Sequence, residues 1–131
     1  MRRSDRGFSL IELMVVVVIV AILASIAIPS YSQHVKRAAV EEATAALSSG
    51  RVAIEQYYLD NREYDGVSCP ASTSHFTISC STTANTYIIT ATGLGSVDGF
   101  VYTLNQLNQH ATTSSPWGTG ACWIDHPGSG C

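Results

Sequence analysis

The sequence lacks the short motifs that usually reveal catalysis. Its 131 residues contain no phosphate-binding glycine loop, no His-Glu pair of a zinc protease and no serine nucleophile elbow. Asp125 and His126 can be drawn into a triad with Ser114, Ser115 or Ser129. Such residues occur together by chance in any serine-rich loop, however. We therefore predict that the protein is not an enzyme and needs no cofactor.

A long apolar run fills the start of the chain. From Phe8 to Ile28 the only ionisable side chain is Glu12, and a helix of this length, at about 1.5 Å per residue, can cross the core of a bilayer. An acid one turn into such a helix costs about 2.5–3.5 kcal/mol on insertion scales, so it calls for a cationic partner. Because the run contains no Lys or Arg, the cation must come from another chain or from an α-amino group made by cleavage before Phe8.

The residues before this run predict its orientation. Three arginines lie within the first seven residues, and the positive-inside rule keeps that end in the cytoplasm while the rest is exported. We expect a single-pass precursor with its N-terminus inside. An ordinary secretory signal would be cut after the apolar run, and residues 24–27 have the small side chains of such a site. The length of the run and Glu12 within it argue against that cleavage; an uncut anchor is the other alternative.

The stretch GFSLIEL, from Gly7 to Leu13, resembles the processing site of type IV prepilins, in which a short basic leader ends in glycine. The resemblance implies that a prepilin peptidase in the inner membrane removes residues 1–7 and that Phe8 is then N-methylated. It also implies that Glu12 docks against the Phe8 amine of a neighbouring subunit, which supplies the missing cation. Assembly platform and motor proteins are further partners that the resemblance implies.

Cleavage of this leader would change the charge of the chain. It would remove Arg2, Arg3 and Arg6 but only one acid, Asp5, so the formal net charge would go from −3 to −5. Of the seven Lys and Arg residues, four would remain. We therefore expect nucleic acid to be an unlikely partner, although a local basic patch would be an exception.

The helix is predicted to continue to about Asn61. Pro29 removes one helical hydrogen bond and is expected to kink the helix, with an end of the helix there as the alternative. Gly50 is interpreted as a site of close backbone packing. An apolar stripe recurs at helical spacing beyond Pro29; it consists of Val40, Ala43, Leu47, Gly50, Ile54 and Tyr57. The charged residues beside the stripe are expected on a solvated face; they are Lys36, Arg37, Glu41, Glu42, Arg51 and Glu55.

Short segments rich in β-branched and aromatic residues follow the helix, after a polar connection at 61–74. The alternation in 87–92 lets one face of the sheet cover the helix stripe. The predicted strands form an antiparallel meander and lie at 75–81, 86–92 and 100–105, with 121–125 as a weaker fourth.

The predicted fold class is therefore α+β. A long N-terminal helix has an apolar, membrane-spanning half, and its second half packs on a small antiparallel sheet, as in the type IV pilin fold. The chain is expected to divide into a leader at 1–7, a membrane and filament-core half at 8–28, and an exported head at 29–131.

Three later segments resemble the closing part of minor pilins of the PilE type. They are YIITATG at 87–93, YTLNQL at 102–107 and the pair Cys122-Trp123. This resemblance favours a minor over a major filament subunit. Where that branch has a cysteine before the second segment, this chain has Phe100 and Val101.

All four cysteines lie beyond the membrane helix, which suits disulfides in an oxidising compartment. Proximity along the chain favours joining the first to the second and the third to the fourth. A metal site is the alternative, because His75 lies between the first two cysteines and His126 between the last two. Neither pair has the close spacing of structural zinc sites, so we expect no metal. The cysteines are Cys69, Cys80, Cys122 and Cys131.

The predicted function is that of a structural subunit, in the pilus on the cell surface after assembly. The alternatives are a type II secretion pseudopilin, a tip or surface pilin that binds a host surface or DNA, and a plain membrane-anchored periplasmic domain. Trp117 and Trp123 are expected to complete the core of the head, and an exposed ligand contact is the alternative for them.

Overall fold

The computed structural model describes residues 6–131, so residues 1–5 of the predicted leader lie outside the described residues. One helix precedes four strands, and a short 3-10 helix, Gly95–Val97, lies between the second and third strands. The elements are α1 (Leu10–Asn61), β1 (Phe76–Thr82), β2 (Tyr87–Gly93), β3 (Val101–Asn105) and β4 (His110–Ser114). The predicted α+β class, with a long helix ahead of a small antiparallel sheet, is confirmed.

Residues 6–35 belong to one unit. Within the described residues no side chain from Arg6 to Ala38 is buried. Large apolar side chains such as Leu10, at 77%, and Ile28, at 68%, are mostly exposed. α1 is long and apolar enough here to cross a membrane. The helix continues through Pro29, so the alternative that it ends there is wrong.

The second unit, from Lys36 onward, contains the sheet. Its strands are antiparallel in the order β1-β2-β3-β4, so each strand pairs with its neighbour in the sequence. Ile78 faces Ala91 across the first pair, and Ile89 faces Leu104 across the second. Tyr87, Ile89 and Ala91 are buried while the residues between them are not. The predicted alternation of β2 is therefore confirmed.

The core lies between the second half of α1 and one face of the sheet. All residues of the predicted stripe are buried except Tyr57, which is half-buried. Ala39 is also buried on α1, although it was not predicted. A Cβ on Gly50 would overlap Cγ of Pro70, so the interpretation of Gly50 as a site of close packing is confirmed. The sheet contributes the buried side chains Phe76, Ile78, Tyr87, Ile89, Ala91, Tyr102 and Leu104.

The fourth strand differs from the prediction. Residues 121–125 are not a strand, and β4 is His110–Ser114 instead. The sequence HATTS has no large apolar residue, so it gives no alternating signal. It is in the sheet because β3 pairs with it from Val101 to Leu104, with one irregularity between Val101 and Tyr102. Residues 121–125 run beside β4 and are held by side-chain hydrogen bonds rather than by a ladder.

Glu55 also differs from the prediction, because it does not lie on a solvated face. It is half-buried. Its carboxylate accepts hydrogen bonds from the hydroxyls of Tyr87 at 2.9 Å and Tyr64 at 3.2 Å. Burial raises the pKa of both phenols, and the neighbouring Glu55 carboxylate raises them further. These bonds tie the end of α1 to β2 and to the connection between them.

Candidate functional site

The residues at the predicted cleavage point are exposed and precede the helix. Gly7 and Phe8 have no regular structure, and the Phe8 side chain is 88% exposed. Ser9 comes directly before α1. A peptidase would therefore find the bond between Gly7 and Phe8 outside the helix.

Ser9 and Glu12 form a reciprocal cap at the start of α1. The Ser9 backbone N–H and hydroxyl donate to Oε2 of Glu12 at 3.0 and 3.1 Å, and the Glu12 N–H donates to the Ser9 hydroxyl at 3.3 Å. This arrangement is a capping box. Ser9 was not among the predicted site residues, although Ser-x-x-Glu before an apolar run is the signal for such a box.

The cap determines where the Glu12 carboxylate lies. It holds the carboxylate at the N-terminal end of the helix, against Ser9, the second residue after the predicted cleavage point. Within the described part of the chain Glu12 forms no ion pair. Phe8, Ile11, Val15 and Val16 form with it a shallow groove of about 330 Å³. An acid in an apolar groove favours a partner that brings a positive charge together with apolar surface.

The cysteines form two disulfides in the head. Cys69 is joined to Cys80 of β1, and Cys122 is joined to Cys131. These are the pairs that proximity along the chain favours. The first ties the connection after α1 to the edge of the sheet. The second closes the C-terminal loop.

Side chains of β3 and β4 hold the start of this C-terminal loop. The buried Thr112 hydroxyl donates to the carbonyl of Cys122 at 2.7 Å and accepts from the N–H of Ile124 at 2.9 Å. The Tyr102 hydroxyl donates to the carbonyl of Ile124 at 2.7 Å. Burial raises the pKa of Tyr102, and Asp125 raises it further. The polar loop is therefore held by buried hydrogen bonds as well as by its disulfide.

Both tryptophans pack against the core. Trp117 lies edge-on to Phe100, with 4.7 Å between ring centroids. Trp123 stacks on His110 at 3.9 Å, and its indole N–H donates to the carbonyl of Thr103 at 2.9 Å. The prediction that they complete the core is confirmed.

The residues that could be drawn into a catalytic triad form other hydrogen bonds. The Ser114 hydroxyl donates to the carbonyl of Gly99, and the Ser115 hydroxyl accepts from the Trp117 N–H. His126 bonds to Asp125. Across residues 6–131 no serine hydroxyl is hydrogen-bonded to the His126 ring, so the geometry gives no support to a nucleophile.

Two protein-family models match this chain, in consecutive segments. The family model described as "Prokaryotic N-terminal methylation motif" matches residues 2–28. The family model described as "Type IV minor pilin ComP, DNA uptake sequence receptor" matches residues 29–100, which is more than half of the chain.

Curated relatives agree with these matches. A fimbrial protein of Neisseria meningitidis serogroup B is 42% identical over 50% of this chain and 39% of its own length. A type IV major pilin protein PilE1 of Neisseria gonorrhoeae is 40% identical over 55% of this chain and 47% of its own. A fimbrial protein of Pseudomonas aeruginosa is 38% identical over 56% and 47%. The chain thus spans less than half the length of these relatives.

The fold matches a solved pilin. The crystal structure of the Neisseria meningitidis non-core minor pilin PilV superposes with a TM-score of 0.60 at 14% identity, over 69% of this chain and 98% of that one. A methylation motif, a matched head and a shared fold lead to one conclusion. The chain belongs to the type IV pilins, in the family described as type IV minor pilin ComP, DNA uptake sequence receptor.

Proposed function

We propose that this chain is a minor subunit of a type IV pilus. It is made as an inner-membrane precursor with its N-terminus in the cytoplasm, cut before Phe8, methylated there and assembled with other pilin subunits by platform and motor proteins. The observation that carries the proposal is a single carboxylate, Glu12, capped by Ser9 on a helix half that buries none of its apolar side chains.

Assembly would follow from covering this apolar surface. Lipid covers the exposed half of α1 before assembly, and the helices of neighbouring subunits cover it afterwards. Glu12 would meet the Phe8 amine of a neighbour and neutralise two charges that an apolar environment penalises. The side chains that would pack between helices include Leu10, Leu13, Val16 and Ile19, all more than half exposed.

Processing can be measured directly on the protein purified from its own membrane. We expect an intact mass and an N-terminal sequence that begin at Phe8, with one added methyl group and four hydrogens lost to two disulfides. A chain that still begins at Met1, made beside an active prepilin peptidase, would lack the free amine and would overturn the mechanism.

Replacing Glu12 tests assembly separately from folding. The substitution Glu12→Ala should abolish or severely reduce incorporation into filaments, because the neighbour's amine loses its counter-charge. The melting temperature of the head should not change, since among the described residues the Glu12 carboxylate is hydrogen-bonded to Ser9 alone. Glu41→Ala, which removes an exposed acid later in α1, is the matched control. Normal filament yield from Glu12→Ala would show that this carboxylate has no role in docking.

Binding of DNA is a second candidate function, favoured by the description of the family that matches residues 29–100. The charges limit how it would work. The cations of the head are Lys36, Arg37, Arg51 and Arg62, and the sequence has no Lys or Arg after Arg62. Phosphates would therefore have to lie along α1 and its C-terminal end, not across the sheet.

This limit predicts a weak dependence of DNA affinity on salt. Four phosphate contacts give a slope of log K against log salt concentration of about −3.6 at most. The double substitution of Arg37 and Arg62 by Gln should make the slope shallower by about 1.8, whereas Gln56→Ala on the same helix should not change it. Gel-shift titrations from low to moderate salt measure both. A slope unchanged in the double variant would exclude these two contacts.

A further inference from the structure

A concave site of about 660 Å³ opens on the face of the sheet opposite α1. Its floor includes Ile88 of β2, Thr103 of β3 and Ala111 of β4. Ile88 and Thr103 each lie between two buried residues of their strand, and Ala111 comes directly before a buried one. One wall is the turn between β3 and β4, and the other is the C-terminal segment at Ala121 and Cys122. The volume falls within the ~300–1,000 Å³ typical of small-molecule sites.

The turn that forms one wall is held in place by its own hydrogen bonds. Oδ1 of Asn105 accepts from the N–H groups of Leu107 and Gln109, both at 3.0 Å, and Nδ2 of Asn105 donates to Oε1 of Gln109 at 2.8 Å. The side chain of Gln109 is thereby fixed through its oxygen. A wall that is already ordered loses little conformational entropy when a ligand binds.

Several uncharged polar groups on this site are left for a ligand. Within residues 6–131 no intramolecular hydrogen bond engages the side-chain amide of Asn108, the hydroxyl of Thr103 or Nε2 of Gln109. The amides donate and accept in fixed directions, and the hydroxyl does both. Beside them, Ile88 is 47% exposed and offers apolar surface.

The charges of this region disfavour an ionic ligand. Among the described residues no Asp, Glu, Lys or Arg side chain lines the site, and His110 is its one titratable side chain. From Glu63 to Cys131 the sequence has no Lys or Arg, so nothing there would pair with a phosphate, a sulfate or a carboxylate. A single-stranded nucleic acid would also need a cationic groove, and no Lys or Arg of residues 6–131 forms one here, although the His110 ring at the site stacks on Trp123.

We propose that this site binds a neutral saccharide. A sugar ring without acidic groups presents hydroxyls at its rim and C–H groups on its faces, which match the free amides and the apolar floor. The polar atoms of Asn108 and Gln109 would bond the hydroxyls, and Ile88 and Ala111 would contact the faces. This property is additional to filament assembly and does not depend on it.

The test uses the processed chain in a detergent without a sugar headgroup, such as lauryldimethylamine oxide. It is applied to an array of neutral glycans, with sialylated glycans and a short DNA duplex on the same array. We expect neutral glycans to bind, and the strongest of them to give a millimolar dissociation constant in an NMR titration. The resonances that shift should belong to the turn, Ile88 and Ala121.

Two variants and one control locate the binding. Asn108 has a φ of 58°, which glycine adopts without strain, so Asn108→Gly deletes the amide and keeps the turn. It should weaken glycan binding by about tenfold, as expected for the loss of a hydrogen bond. Ala121→Trp should fill the site and abolish binding. Ser79→Ala, on the exposed face of β1 away from the site, should leave it unchanged.

Three results would overturn the proposal. The first is that no neutral glycan binds. The second is binding that neither Asn108→Gly nor Ala121→Trp alters, which would place the glycan elsewhere on the head. The third is binding only of sialylated glycans or DNA with loss in Ala121→Trp, which would keep the site but reject the neutral class.

Discussion

Gly50 and Pro70 pack so closely that the glycine has no room for a side chain. Gly50 lies on the buried stripe of α1, and a Cβ there would overlap Cγ of Pro70 and lie 3.0 Å from its Cβ. The proline ring belongs to the connection after α1 and follows Cys69 of the first disulfide. One missing methyl group therefore allows the connection to lie against the helix.

Gly50→Ala should destabilise the head although alanine is the better helix former. The gain in helix propensity is up to about 1 kcal/mol, whereas overpacking against a proline ring that a neighbouring disulfide restrains typically costs ~1–3 kcal/mol. Chemical denaturation of the processed chain in detergent measures the balance. Ser49→Ala, one residue earlier on the exposed side, is the control.

The double variant Gly50→Ala with Pro70→Ala should recover most of the loss, because the smaller side chain makes room for the methyl group. If Gly50→Ala proves stabilising by itself, the contact with Pro70 is not as tight as described.

At this scale the sequence predicts some roles and misses others. Gly50 was predictable because glycine inside a helix is costly and needs a reason. Ser9 was predictable from its spacing to Glu12 but was overlooked. Glu55 was not predictable, because its partner Tyr87 lies 32 residues away and only the folded chain brings the two together.

Among the elements, the C-terminal segment is attached to the sheet in an unusual way. Apart from one bridge between Thr112 and Gly120, it makes few backbone contacts with β4. The side chains of Thr112, Tyr102 and Trp123 provide the attachment, the last through its bond to the carbonyl of Thr103. The segment is thus held by a few specific bonds whose removal can be tested one at a time.

Thr112→Val should destabilise the head by about 2–4 kcal/mol. Valine keeps the shape of threonine but leaves the half-buried Cys122 carbonyl and the buried Ile124 N–H without a partner. A buried unpaired group costs ~1–3 kcal/mol, and a half-buried one lies at the low end of that range. The neighbouring Thr113→Val is the matched control, because Thr113 is exposed and its bond to the Val101 carbonyl is long, at 3.4 Å. Equal stability of the two variants in denaturant titrations would contradict the role given to Thr112.

The same segment shows why part of the sheet was predicted and part was not. β1, β2 and β3 are rich in β-branched and aromatic residues, which located them within about a residue of their bounds, and the alternation of β2 identified its buried face. β4 has only small and polar residues, and it is a strand because β3 supplies its partner. Residues 121–125 contain Trp123 and Ile124, and these apolar residues led to the prediction of a strand. In the structure the segment is held by side-chain hydrogen bonds instead.

On the scale of the whole molecule, the two units have opposite relations to solvent. Residues 6–35 expose their apolar side chains, and the unit from Lys36 onward contains the buried core. In that second unit Tyr87 and Tyr102 are fully buried and act as hydrogen-bond donors. They can donate only while protonated, so the head depends on neutral phenols.

Alkaline pH should therefore unfold the head. The ordinary phenol pKa is 10.0, and both tyrosines are shifted upward in the folded state. A raised folded pKa gives stability that is complete below the unfolded value, so stability should be constant up to about pH 10 and fall above it. Each buried phenol contributes a slope of at most about 1.4 kcal/mol per pH unit.

Denaturant titrations at several alkaline pH values measure this slope. Tyr102→Phe should be less stable near neutral pH, because it loses the bond to Ile124, but its stability should fall less steeply above pH 10. Tyr31→Phe, which alters a tyrosine that is 72% exposed, should keep the original slope. A head whose stability is flat through this range would show that the phenols ionise without unfolding it.

The consecutive order of the strands has a consequence for how the chain folds. Every ladder joins two strands that are adjacent in sequence, so each hairpin can close as soon as its second strand is available. No ladder joins strands that are far apart in the sequence, and contacts between residues close in sequence form quickly. The sheet is thereby complete when Ser114 has emerged, while Cys131 is still to come. The Cys122–Cys131 disulfide can therefore close on a sheet that is already folded.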